Sequence, residues 1–186
     1  LSGKGDTSQK LTLMKTSADS LKKSADALND SSLWEKKKIK KKDEKTGEEI
    51  EVEDYDWDKI TKAVKSFVED YNDVVKEAGE SNTKDVLRNA SWMTGMTDKN
   101  SNMLAKIGIT IGKGNKLELD EDALKQADIS SLKTVFTGYN SFVSKISQKA
   151  TGISNAANRA SATYTNNGTY SKTDSLLTSS KIDEEV

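Results

Sequence analysis

Three short stretches hold residue types that could do chemistry. Asp98, Asn100 and Asn102 alternate like the first ligands of a calcium loop, but such a loop needs Gly at its sixth position and Glu at its twelfth, where Met103 and Ile109 stand. They read as a polar turn with helix-capping residues. Gly112, Lys113, Gly114 and Asn115 set glycines beside a lysine, as a phosphate cradle does. A phosphate loop, however, runs G-x-x-x-x-G-K-[ST] straight into a helix, whereas alternating apolar residues flank this stretch on both sides, so it reads as a hairpin turn. Asp120, Glu121 and Asp122 offer three carboxylates for acid/base work or a hard cation. Successive helical side chains point in different directions, so a helix start is the simpler reading. The tryptophans Trp34, Trp57 and Trp92 could stack on a ligand; the first two fit better as boundary packing at helix ends.

Histidine and cysteine are absent. That removes the commonest general base near neutral pH and every thiolate nucleophile, metal ligand and disulfide. No catalytic residue, no metal site and no cofactor is expected, and the chain reads as a non-enzyme. With 29 basic and 30 acidic residues the net charge is -1, so no global basic field gathers polyanions and no nucleic-acid partner is expected. No apolar run approaches the ~18 residues of a membrane span, and no signal peptide opens the chain, so no membrane association is expected. Leu rather than Met at position 1, and polar sequence at both ends, suggest an excised fragment.

The elements that position these residues are mostly helical, in what is expected to be a single domain over 1–186. Proline is absent and aromatics are 6 %, a mixture that suits amphipathic helices better than a β-sandwich. Leu11, Met14, Ala18, Leu21, Ala25 and Leu28 recur at heptad spacing within 7–32, and Trp57, Ile60, Val64, Phe67, Tyr71, Val74 and Ala78 repeat it within 57–80. Two such helices with a short connection fold back as an antiparallel pair.

The connection, 34–57, is unusual. Six lysines fill seven positions from Lys36 to Lys42, and nine acids follow within 43–58. With Thr46 and Gly47 at the tip, Lys42 faces Glu49, Lys40 faces Glu51 and Lys38 faces Glu53, while Ile39 meets Val52 on the other side and Trp34 meets Trp57 at the base. Opposite charges paired across strands contribute up to about 1 kcal/mol each, so a charge-zippered β-hairpin is the reading adopted. A solvated loop and a polybasic binding handle are the alternatives.

Over 81–138 the pattern predicts short helices, one closing at Gly95 and another opening at Ser101, and a β-hairpin over 109–119 with Ile109 and Ile111 alternating against Leu117 and Leu119. A further turn of helix carries Leu132, Val135 and Phe136 and stops at Gly138. A long helix over 139–164 presents Phe142, Ile146, Ala150, Ile153, Ala157 and Ala160 to the first two helices. The sequence at 165–171 predicts its end, and 171–186 reads as a weakly ordered tail anchored only by Leu176, Leu177 and Ile182. The fold class is thus mainly α: an antiparallel, coiled-coil-like helical bundle with one or two small β-hairpins.

The segments FVEDYNDVV (67–75), LAKIGITIGKGNKLELDEDALKQA (104–127) and VFTG (135–138) resemble the C-terminal part of the flagellar hook-associated protein that caps the filament. LMKTSADSLKKSADALNDSSLW (13–34) is similar to that family's N-terminal helix. The resemblance implies the helical leg domain of a filament cap, with the usual inserted β-rich domains reduced to the 34–57 hairpin and the terminal coiled-coil arms missing. It further implies an extracellular structural protein of the bacterial flagellum, with no enzymatic activity. That protein would form a homo-oligomeric ring at the filament tip, contact flagellin and assist its incorporation. The hairpin residues Lys38, Lys40, Lys42, Glu49, Glu51 and Glu53, with Trp34, Trp57, Phe67, Tyr71, Ile109, Leu117, Leu119 and Phe136, are the expected interaction or structural positions. A generic extracellular helical-bundle interaction module and a charged-hairpin binder of polyanions are the competing readings.

Overall fold

In a computed structural model of the chain, residues 5–184 are described, with side chains to Thr163. The fold is mainly α with two small antiparallel hairpins. Helix α1 (Ser8–Leu28) opens at Thr7, whose hydroxyl accepts from the Lys10 N–H, and buries the six residues of the predicted seam. A 3-10 turn at Ser31–Trp34 leads into strands β1 (Lys37–Lys42) and β2 (Glu49–Asp54), and helix α2 (Trp57–Gly79) returns antiparallel to α1. Its seam, Ile60 to Ala78, is also buried. Both stripes hide because each helix alone would leave its apolar face in water.

Helices α3 (Lys84–Lys99) and α4 (Ser101–Ala105), strands β3 (Ile109–Ile111) and β4 (Leu117–Leu119), and helices α5 (Glu121–Gln126), α6 (Ile129–Phe136) and α7 (Phe142–Glu184) complete the chain. Helix α3 does not end at Gly95. It continues one turn further because that turn buries Met96 and Thr97, a gain larger than the roughly 1 kcal/mol that glycine costs in a helix. Helix α7 likewise runs through 165–171, where the sequence predicts a break. The side chains of the predicted tail, Leu176, Leu177 and Ile182 among them, lie outside the described residues, as do Glu185 and Val186 entirely.

Helices α1 and α3 each lie between α2 and α7, so the four close into a bundle. The expected packing of the last helix on the first two is therefore corrected: α7 runs along α1 and α3, and it reaches α2 where Phe142 meets Phe67 edge-on at 6.3 Å. Close approach of α7 to α3 is permitted by Gly152, where a Cβ would come within 2.5 Å of the Asn89 amide oxygen.

Candidate functional site

Strands β1 and β2 pair in the register that the charges predict: Lys38 opposite Glu53, Lys40 opposite Glu51, Lys42 opposite Glu49 and Ile39 opposite Val52. The turn closes because Asp43 accepts the Lys45 N–H on its carboxylate and Gly47 takes a left-handed conformation at φ 71°. All six charged positions on one face are exposed, while Ile39 and Val52 are half-buried on the other. The zipper differs in one respect from its expected form. Among the described residues, the ribbon's ion pair within 4 Å joins Lys41 to Asp54 at 2.6 Å, on the face opposite the six. That bond, followed by the Tyr55 N–H, holds the Asp54 carboxyl below the usual carboxylate range. The lysines and glutamates facing one another across the strands remain in water, where such pairs contribute little.

The base of the ribbon is also built differently. Trp34 does not meet Trp57. Its indole N–H donates to the Leu28 carbonyl at 2.7 Å, satisfying an otherwise open acceptor at the end of α1, and its ring stacks on Phe136 at 5.6 Å. Trp57 packs edge-on against Tyr55 at 6.2 Å. Burying a large indole with its N–H bonded is worth more than a solvent-facing pair at the ribbon foot.

Of the remaining predicted positions, Phe67, Tyr71, Ile109, Leu117 and Phe136 are core residues and Leu119 is half-buried, so within this chain they hold structure rather than meet a partner. Tyr71 donates its hydroxyl to Thr97 at 2.8 Å, and the Thr97 hydroxyl donates in turn to the Met93 carbonyl at 2.9 Å. Burial, only partly offset by that bond, pushes the Tyr71 phenol up to about 12. Ile109 pairs with Leu119 and Ile111 with Leu117, while Gly112 to Asn115 form the turn, with Gly114 and Asn115 left-handed. Asp120 caps α5 by accepting the Ala123 N–H at 3.0 Å, and Glu121 sits 3.8 Å from Lys65. Among the described residues no group of three or more acidic side chains is arranged to hold a metal ion. At the end of α3, Asn100 donates its side-chain amide to the Met96 carbonyl at 2.8 Å.

Several structural contacts escaped the sequence reading. Asn72 on α2 behaves like a strand partner for β4: its amide nitrogen donates to the Leu117 carbonyl at 2.9 Å, and its oxygen accepts the Leu117 N–H at 2.7 Å. Asp6 clasps the entry to α3, accepting from Ser81, Asn82 and Thr83. Desolvation opposes its ionisation, but those four bonds prevail and its carboxyl is held low. Helices α1 and α7 share two rungs, Asp19 with Ser154 at 2.5 Å and Asp26 with Ser147 at 2.7 Å, and Lys15 and Lys22 approach the same carboxylates from one turn earlier. Both the aspartates and the serines are seven residues apart, and that shared period was the available signal.

A groove of about 550 Å³ opens between α3 and α7, lined by Arg88, Trp92, Met96, Lys99 and Lys145 among others. Trp92 is 57 % exposed, and the Lys149 ammonium sits 4.1 Å over its ring.

A closed helical bundle that carries a charged ribbon and a basic aromatic groove, with its buried side-chain polar groups bonded internally except for the Thr61 hydroxyl among the described residues, has the build of a structural protein whose features are surfaces. Residues 81–184, more than half of the chain, match the family model for the flagellar hook-associated protein 2 C-terminus. The chain belongs to that family of flagellar filament-cap proteins. No curated protein and no solved structure matches it. Among the described residues no helix is long and apolar enough to cross a membrane.

Proposed function

We propose that this chain acts outside the cell as a non-enzymatic filament-cap component. It assembles with copies of itself into a ring at the tip of the flagellar filament and assists flagellin subunits as they are incorporated. The observation that carries this reading is the family match over α3 to α7. The surface is in keeping with it: the ribbon, the exposed side of α2 and the Trp92 groove beside α7 are free to meet other chains. Exposed aromatics and arginines are the residue types that anchor protein interfaces.

Immunogold labelling of filaments from a producing strain tests the proposal, together with a deletion strain. Gold is expected at the distal filament ends, and the deletion strain is expected to release flagellin into the medium unpolymerised. Label spread evenly, or filaments of normal length without the chain, would discard the cap role in favour of a generic interaction module.

A further inference from the structure

Strands β1 and β2 form a sheet of two, so among the described residues each has one edge without a strand partner. The Asp43 N–H donates across the ribbon to the Glu48 carbonyl at 2.8 Å. Backbone groups alternate in direction along an antiparallel ladder. Ile39 and Lys41 therefore turn their N–H and C=O inward, as Asp43 does, and Lys38, Lys40 and Lys42 turn theirs toward the open edge. The same alternation aims the backbone of Glu49, Glu51 and Glu53 outward from β2. One open edge is thus made of lysines and the other of glutamates.

Charges at a sheet edge ordinarily discourage pairing. Here they discriminate. Two β1 edges would oppose lysine to lysine, and two β2 edges glutamate to glutamate, both unfavourable. The β2 edge of one copy laid along the β1 edge of another repeats the internal pattern: Glu51 meets Lys40, Glu49 meets Lys42, Glu53 meets Lys38 and Val52 meets Ile39. We infer that the ribbon is a head-to-tail seam, in which the glutamate edge of one chain extends the sheet through the lysine edge of the next. Such a contact uses two different surfaces of the same chain. It propagates from copy to copy and closes into a ring when the rotation per step allows. It also widens the sheet, and a lone two-stranded ribbon is marginal in water. The inference rests on the self-assembly part of the cap reading and gives that assembly its contact.

Proline supplies the test, since it is tolerated in a strand where the N–H faces away from the ladder. Lys40→Pro blocks the β1 edge and Glu51→Pro the β2 edge, and neither removes an internal ladder bond. Light scattering of the native chain is expected to give a mass that rises at least about twofold with concentration and falls back as salt rises from ~50 to ~500 mM. Each proline variant alone should stay at the mass of one chain. An equimolar mixture of the two should regain pairing and stop at two chains, because it retains one good edge of each kind.

A native chain that stays single throughout, proline variants that still assemble, or a mixture that does not pair would each overturn the seam. If amide exchange shows that a proline has unravelled the ribbon, carbodiimide cross-linking of mixed ¹⁵N-labelled and unlabelled native chains decides. Links from a β1 lysine of one isotope to a β2 glutamate of the other are required. Their absence overturns the inference. Gold at filament ends without a ribbon seam would leave the cap reading intact.

Discussion

Replacing Asn72 by alanine deletes both bonds to the Leu117 backbone, at 2.9 and 2.7 Å. Leu117 is buried. A neutral hydrogen bond nets about 1 kcal/mol, and a buried group left without its partner costs about 1–3 kcal/mol. Because the site is part-buried, water can serve one of the two orphaned groups, so Asn72→Ala should cost about 2–4 kcal/mol. In urea, with a slope near ~2 kcal/mol/M, the midpoint should fall by about 1–2 M at constant slope.

Asn72→Asp sharpens the test. Ionised, it accepts the Leu117 N–H but sets a second negative oxygen against the Leu117 carbonyl. Protonated, it can accept and donate as the amide does. The folded state therefore favours the protonated acid and raises its pKa, so the variant's stability is complete at low pH and is lost as pH rises through that value. Measured against the native chain at each pH, Asn72→Asp should be nearly neutral near pH ~3.5 and destabilised at pH ~7, while Asn72→Ala is deficient at both. Equal losses at the two pH values, or an unchanged exchange rate for the Leu117 amide in Asn72→Ala, would refute the reasoning.

Gly108, at φ 89°, leaves no room for a Cβ, which would lie 2.7 Å from the Asp120 carbonyl oxygen and 2.9 Å from the Leu124 nitrogen. Gly108→Ala should cost about 3 kcal/mol or more in thermal unfolding, whereas Gly114→Ala, also left-handed but in open space, should cost about 1 kcal/mol. At Asp19 and Asp26, desolvation is outweighed by the bonds from Lys15 and Ser154 and from Lys22 and Ser147, so both carboxyls titrate below 3.8. Their stabilisation is present above that pH and disappears as pH falls through the lowered values. The double change Asp19→Asn with Asp26→Asn should therefore flatten the acid limb of a stability titration, and an acid limb identical to the native one would sink the assignment. Asp70 acts in the opposite sense, since burial raises its pKa and acid relieves the penalty of its charge.

The heptad seams of α1 and α2 were legible because six and seven positions hold the alternating spacing of three and four over about two and a half and three heptads, and all of them but the half-buried Trp57 are buried. The ribbon register was legible for a related reason, since shifting it by one residue would oppose the lysines to Ile50 and Val52. What could not be seen depends on distant contacts. Gly95 and the 165–171 stretch carry local stop signals that the helices override, at Gly95 because Met96 and Thr97 find a core. Trp34 had a plausible neighbour in Trp57, and only the folded position of Phe136, a hundred residues on, offered a better one. Asn72 and Asp6 are ordinary polar residues until Leu117 and Ser81 to Thr83 arrive beside them. No local pattern announces such a meeting.

The two feet of the ribbon are each anchored in the bundle, and Lys36 beside one sits 5.7 Å over the Tyr55 ring of the other. Trp34 is fixed by Leu28 and Phe136, and Asp56 accepts the Lys59 N–H to start α2 while Tyr55 rests on Trp57. Nothing in those attachments calls on residues 37–54. The bundle therefore offers a socket: two anchored posts between which the chain can be lengthened, shortened or exchanged. The entropy of closing a longer loop grows only by about 0.6 kcal/mol for each doubling. A change of cargo at this point alters what the protein presents to the outside while the helices that carry it fold as before.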